Sequence, residues 1–199
     1  MATNVEATPE ATALLPRRPL RADARQNYDK LIAAAREVFA EEGTAASLEE
    51  IARRAQVGIA TLYRRFPTRQ DLLEATYLEE VEAISSSAAD FDGLAPWDAL
   101  VGWLRRYVAF AATKRVLAEE LLAYVDRDSE MFKTCSGAIT AAGEPLLRRA
   151  QDAGVVRPDT SFSDVVRMVS GIAAIRATEP EQIERILDVA LDGLRYQPS

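Results

Sequence analysis

Closely spaced signals for helix ends between residues 43 and 71 constrain the fold of this chain more than any other feature. Gly43 follows a periodic apolar stretch and suits the left-handed cap that ends a helix. Ser47-Leu-Glu-Glu50 has the pattern of a capping box, and a second capping signal, Thr68-Arg-Gln-Asp71, directly follows Pro67. These signals leave room for only two short helices between a helix that precedes them and a longer one that follows.

The two short helices and the helix before them are predicted to form one small core. The earlier helix carries apolar residues at helical spacing: Leu31, Ala34, Ala35, Val38 and Phe39. The short helices run to about Ala55 and from about Ile59 to Phe66, and only three residues, 56–58, join them. Ile51, Leu62 and Phe66 can hold the three helices together. This arrangement is a helix-turn-helix, which leaves one face of its last helix free for the major groove of DNA.

The charge of the chain is unevenly distributed. Residues 17–70 hold 11 Arg and Lys against 7 Asp and Glu, and residues 71–199 hold 13 against 22. With Glu6 and Glu10 the whole chain has a net charge of −7. A basic head on an acidic body can hold one end of the protein on phosphate while the other is repelled. Chance clustering of solvated charges gives the same counts, so charge alone does not establish DNA binding.

Composition narrows the classes of function. The 199 residues contain no histidine and one cysteine, Cys135, which excludes His-based triads, disulfides within the chain and most transition-metal sites. No apolar stretch long enough for a membrane helix, no secretory signal, no glycine-rich phosphate loop and no Gly-x-Ser-x-Gly elbow occurs. We therefore expect a cytoplasmic, nucleoid-associated protein that is not an enzyme and needs no membrane, metal or cofactor.

The stretch from Leu48 to Leu72, LEEIARRAQVGIATLYRRFPTRQDL, resembles the DNA-binding head of the tetracycline-repressor (TetR) family. The specific part is Thr61-Leu62-Tyr63 followed by Phe66, Arg69 and Leu72, and the likeness extends over residues 25–73. Glycine is usual in the family where Gln56 stands, and serine is frequent where Gly58 stands. A non-glycine residue in the left-handed turn costs about 1 kcal/mol, which a packed turn tolerates.

The resemblance implies an all-α fold of about nine helices. A disordered N-terminal arm, 1–20, rich in Ala, Thr, Glu and Pro, precedes a helix-turn-helix domain over 21–67. Residues 68–199 then form a helical body that binds an effector and dimerises.

The resemblance also assigns DNA contacts residue by residue. Thr61 and Tyr63 match positions whose hydroxyls hold phosphates, and Arg69 matches a basic residue that contacts phosphate beside a helix end. Ser47 is a further phosphate candidate. Candidates for base contacts are Ile59, Ala60, Arg64 and Arg65. The remaining DNA-binding candidates are Gly58, as the cap of the third helix, and Arg25, which forms a basic arm with Arg17, Arg18 and Arg21. Core packing of Tyr63 and solvation of the two helix arginines are the alternatives.

Two further sets of residues belong to the body. The resemblance implies that apolar stripes on the last two helices pair with their twins in a homodimer. That set comprises Phe162, Val166, Val169, Ile183, Leu187, Leu191 and Leu194. The resemblance also implies a pocket for a small, largely apolar effector. The pocket set comprises Trp103, Tyr107, Phe110, Leu122, Met131 and Cys135. For both sets the alternative is ordinary packing in the core of the monomer.

Together these features predict a sequence-specific DNA-binding transcriptional regulator that binds a palindromic double-stranded operator. Because members of the TetR family mostly act by blocking promoters, the resemblance favours a repressor that a small lipophilic effector releases from DNA. The alternative is a helical protein–protein interaction module that does not bind DNA, and binding that weakens steeply with salt separates the two.

Overall fold

The computed structural model describes residues 22–175 and 180–196, and this part of the chain contains eight α-helices and no strand. The helices are α1 (Ala22–Glu42), α2 (Leu48–Ala55), α3 (Ile59–Arg65), α4 (Arg69–Ser86), α5 (Pro96–Leu121), α6 (Glu130–Asp152), α7 (Phe162–Ala173) and α8 (Pro180–Asp192). Short 3₁₀ turns, Gly43–Ala45 and Ser87–Phe91, follow α1 and α4. The predicted all-α class is confirmed. The predicted arm, 1–20, and Arg21 lie outside the described residues.

The described residues form two compact units. The first contains residues 22–82 and 113–135, and the second contains 83–112, 136–175 and 180–196. The predicted DNA-binding head therefore lies in the first unit, together with parts of α4, α5 and α6.

The helix ends around the head arise from local side-chain bonds. The Thr68 hydroxyl accepts a hydrogen bond from the Asp71 N–H at 3.1 Å, and the Asp71 carboxylate accepts one from the Thr68 N–H at 2.9 Å. These reciprocal bonds form a complete capping box at the start of α4. At Ser47 only half of the predicted box is present. The Ser47 hydroxyl accepts from the Glu50 N–H at 3.1 Å, while the Glu50 carboxylate accepts from Arg53 and Arg54.

The turn between α2 and α3 has the predicted left-handed residue. Gln56 has φ 55°, and its N–H and that of Val57 donate to carbonyl oxygens of α2. Gly43, at the end of α1, has φ 53°. Both positions therefore have the backbone conformation that a side chain disfavours and glycine adopts without strain.

A small apolar core holds the head helices. Ile51 and Leu62 are fully buried and Phe66 is 2% exposed. The ring of Tyr28 on α1 lies 5.7 Å from the Phe66 ring and is tilted by 36° to it. The predicted packing of Ile51, Leu62 and Phe66 is confirmed, and Tyr28 also belongs to this core. The short α3 thus gains its stability from one buried side, because so short a helix is marginal on its own.

The core of the second unit centres on Trp103. Its indole is fully buried, stacks 5.5 Å from the Tyr107 ring and donates to the Ile84 carbonyl at 3.2 Å. A Cβ placed on Gly143 in α6 would lie 2.6 Å from this indole and 2.4 Å from the Phe162 ring. Only glycine allows α6 to approach the two rings this closely.

Candidate nucleic-acid interface

The outward face of α3 consists of side chains that have no place in the core. Ile59 is 38% exposed and Tyr63 43% exposed, and Ala60 and Arg64 are exposed beside them. Leu62, on the opposite side of the same helix, is fully buried. The alternative in which Tyr63 packs in the core is therefore wrong. Two large side chains that face solvent on a two-turn helix form a surface suited to contact with another molecule.

The two adjacent arginines at the end of α3 have different surroundings. Arg64 is exposed, whereas the half-buried Arg65 places its guanidinium 5.1 Å from the centre of the Tyr28 ring and 6.0 Å from that of Phe66. A cation above an aromatic face is attracted by the ring, so Arg65 is held toward α1. The Tyr28 hydroxyl in turn donates to the Glu79 carboxylate on α4 at 3.0 Å.

The other predicted DNA contacts surround this face with unequal exposure. Ser47, Gly58 and Arg25 are exposed, and Thr61 is half-buried. Gly58 caps α3 through its carbonyl, which accepts from the Thr61 N–H at 2.8 Å. A hydroxyl both accepts and donates, so the capping bond at Ser47 leaves its proton for a phosphate oxygen.

Arg69 points into the protein. Its guanidinium donates to the Ala46 carbonyl, donates to the Gly43 carbonyl at 3.0 Å and pairs with the Glu120 carboxylate at 3.2 Å. The side chain is 22% exposed. A phosphate contact at this residue stays a prediction.

Sequence reasoning missed the ion cluster that links α1 and α2. Arg54 pairs with Glu50 at 2.8 Å and with Glu41 at 2.7 Å, and Arg53 pairs with Glu50 at 2.7 Å. Hydrogen bonds from Arg53 and then Arg54 lower the pKa of Glu50 to about 2. The spacing of Glu50 to these arginines, i,i+3 and i,i+4, is the signal that identifies the cluster. These two arginines neutralise acidic groups of the head itself.

The predicted effector residues are divided between the two units. In the second unit, Trp103, Tyr107 and Phe110 are buried in a row of ring contacts, and the Tyr107 hydroxyl lies 3.2 Å from that of Ser170. Three further members lie in the first unit: Leu122 and Met131, which are half-buried, and Cys135, which is buried. Burial raises the pKa of the Cys135 thiol to about 11. An effector role for these residues stays a prediction.

Most of the predicted dimer residues contribute to the core of the second unit. The buried members are Phe162, Val169, Leu187, Leu191 and Leu194. Val166 and Ile183 are half-buried, and Val189 on α8 is 76% exposed. The stripes therefore bury one side within the monomer, and their outer edge remains accessible.

Comparison with known proteins gives matches along most of the chain. The family described as bacterial regulatory proteins, tetR family, matches residues 31–76, and the C-terminal domain of SbtR-like transcriptional regulators matches 95–196. The HTH-type transcriptional regulator UidR of Escherichia coli K12 is 26% identical over 183 residues, which span 88% of this chain and 93% of UidR. No helix in the described ranges is both long and apolar enough to cross a membrane.

Solved structures agree with this assignment. The TetR transcriptional regulator SCO0520 from Streptomyces coelicolor is 40% identical, with a TM-score of 0.75 over 86% of this chain and 99% of its own. A TetR transcription regulatory protein from Mycobacterium vanbaalenii is 34% identical, with a TM-score of 0.70 over 89% and 99%. The helix-turn-helix, the outward-facing α3 and the helical body of this chain agree with these matches. The chain therefore belongs to the TetR family of DNA-binding transcriptional regulators.

Proposed function

We propose that this regulator binds a palindromic operator as a homodimer, with the outward face of α3 in the major groove. The exposure of Ile59 and Tyr63 on a helix whose other side is buried carries the proposal. In this proposal Ile59 and Ala60 meet thymine methyl groups, and the exposed Arg64 forms bidentate bonds with guanine. The hydroxyls of Tyr63 and Thr61, with Ser47 and Arg25, supply bonds to phosphate.

Duplexes selected from a random pool by the purified protein test this assignment. In fluorescence anisotropy with the selected duplex, Arg64→Ala should cost about 1–3 kcal/mol and relax the preference at one position of each half-site. Tyr63→Ala should weaken all duplexes alike and leave the salt dependence nearly unchanged, because it removes a neutral hydrogen bond to phosphate that releases no counterion. Arg148→Ala, an exposed arginine of α6, is the control for loss of one positive charge. Binding that none of the head variants changes would contradict the proposal.

Dimerisation is proposed to use the outer edge of α7 and α8 in the body. Regulators of this family act as dimers, and Val166 and Ile183 are the least buried of the seven predicted interface residues. Size-exclusion chromatography with light scattering at micromolar concentration should give a dimer. Ile183→Asp should shift it to monomer, whereas Tyr124→Asp, at an exposed position of the first unit, should not. A monomeric wild-type protein would contradict the proposal.

The regulator is further proposed to be a repressor that a small lipophilic effector releases from DNA in the cytoplasm, at the nucleoid. Support comes from the apolar and aromatic character of the six predicted effector residues: Trp103, Tyr107, Phe110, Leu122, Met131 and Cys135. A thermal-shift screen of lipophilic compounds should find ligands that stabilise the protein and weaken operator binding. A screen in which no compound does so would contradict this part of the proposal.

A further inference from the structure

The guanidinium of Arg69 is surrounded by acceptors from two segments of the first unit. The carbonyl oxygens of Gly43 and Ala46, both in the turn after α1, accept from it, and Glu120 on α5 pairs with it. The Phe39 ring lies 5.0 Å from its central carbon. Arg69 is the first residue of α4, so these contacts join the beginning of α4 to the end of α1 and the end of α5.

The charged carboxylate of Glu120 needs the Arg69 guanidinium beside it to be stable in its surroundings. Its side chain is 11% exposed, and a Cβ placed on Gly43 would lie 3.8 Å from one of its carboxylate oxygens. The carboxylate therefore lies beside the carbonyl end of α1, where the helix dipole is negative and a second negative charge is disfavoured. A nearly buried carboxylate beside carbonyl oxygens is strongly unfavourable without a cation between them.

We propose that Arg69 is a positioning residue that sets the place of the head against α4 and α5 through Glu120, and that it makes no phosphate contact. The five N–H donors of arginine lie in one rigid plane, which matches two carbonyls and a carboxylate at once. A phosphate contact requires the guanidinium to leave these partners and the Phe39 ring. The proposal rests on DNA binding by α3 and deepens it. The contacts of Arg69 with Glu120 and the two carbonyls, called the clamp below, hold the head in the position from which α3 can enter a groove.

The test uses conservative changes at both ends of the clamp, Arg69→Lys and Glu120→Gln, in the full-length protein. Operator affinity is measured by anisotropy from about 50 to 200 mM salt, a range over which phosphate contacts dominate the change. Each variant should bind about tenfold more weakly, within the range for residues in one hydrogen-bond network. The plots of log affinity against log salt should run parallel to that of the wild type.

Glu119→Gln is the matched control. This neighbouring carboxylate on α5 is 62% exposed and loses the same charge, so its operator affinity should stay unchanged or rise slightly. A loss confined to Glu120→Gln excludes long-range electrostatics as its cause. Circular dichroism must show each variant folded at the temperature of the assay, because a purely structural role would lower stability and leave the affinity of the folded protein intact.

Two results would overturn the proposal. One is Glu120→Gln binding like the control. The other is a salt slope that falls by about 0.9 for each phosphate lost in Arg69→Gln, which would identify a phosphate contact. If the wild-type protein binds no duplex, the proposed DNA binding is refuted, but the interaction between Arg69 and Glu120 can still be tested by urea unfolding. Arg69→Lys and Glu120→Gln should then be non-additive in the free energy of unfolding, and additive effects would refute the clamp.

Discussion

Replacing Gly143 by alanine should destabilise the second unit, although the same change at Gly137, on the same helix, should stabilise it. A Cβ on Gly143 would lie 2.4 Å from the Phe162 ring and 2.6 Å from the Trp103 indole, whereas one on Gly137 has no neighbouring atom within 4 Å. Trp103 is 0% and Phe162 6% exposed, so neither ring has solvent to move into.

The two substitutions gain the same helix propensity but differ in the cost of overpacking. Alanine in a helix interior is favoured over glycine by about 1 kcal/mol, and this gain applies at both positions. At Gly143 the new methyl group overlaps two rigid rings, and overpacking of a tight core costs about 1–3 kcal/mol. With the cost near the upper end, Gly143→Ala should lower the free energy of unfolding by about 2 kcal/mol, while Gly137→Ala should raise it by about 1 kcal/mol.

Urea unfolding followed by circular dichroism and tryptophan fluorescence measures both values. Protein concentration must be the same in all samples, because assembly makes apparent stability depend on concentration. Equal stability of the two variants, or an increase in both, would show that the rings yield without cost and would refute the reasoning from close packing.

Three other predictions concern two substitutions and one chemical labelling. Gln56→Gly should raise the free energy of unfolding by up to about 1 kcal/mol in urea unfolding, because it removes a side chain from a left-handed residue. The Cys135 thiol, whose pKa burial raises to about 11, should react with iodoacetamide far more slowly at pH 8 than in urea, as followed by mass spectrometry. Burial raises the pKa of Glu80 above 4.5, against the opposing effect of Arg36. Its contribution to stability is therefore greatest below that value and is lost as pH rises through the folded pKa, so Glu80→Gln should flatten the pH dependence of urea unfolding above pH 4.5.

The helix order and the turn conformations followed from the sequence because their causes are local. Gly43, Pro67 and the cap at Thr68 act within a few residues of themselves, so their positions along the chain suffice to place the helix ends. The outward face of α3 also followed from the sequence, because Leu62 and Phe66 had to share one side of a short helix.

Side chains whose partners lie far along the chain could not be placed in this way. Arg69 meets Glu120 and Arg65 meets Tyr28 only after tertiary packing brings distant segments together. Motif position alone cannot distinguish such an arginine from one that faces solvent. The apolar stripes on α7 and α8 have the same difficulty, because helical periodicity identifies an apolar side and not the molecule that covers it.

The division of α3 into a buried and an exposed side has an evolutionary consequence. Leu62 anchors the helix from within, while Ile59, Ala60 and Arg64 contribute little to the folded core. Exposed positions of this kind accept substitution at a cost usually within about 0.5 kcal/mol. With the base contacts proposed above, a duplicated copy of the gene acquires a new target site through a few changes on this side, without first accumulating compensating mutations elsewhere.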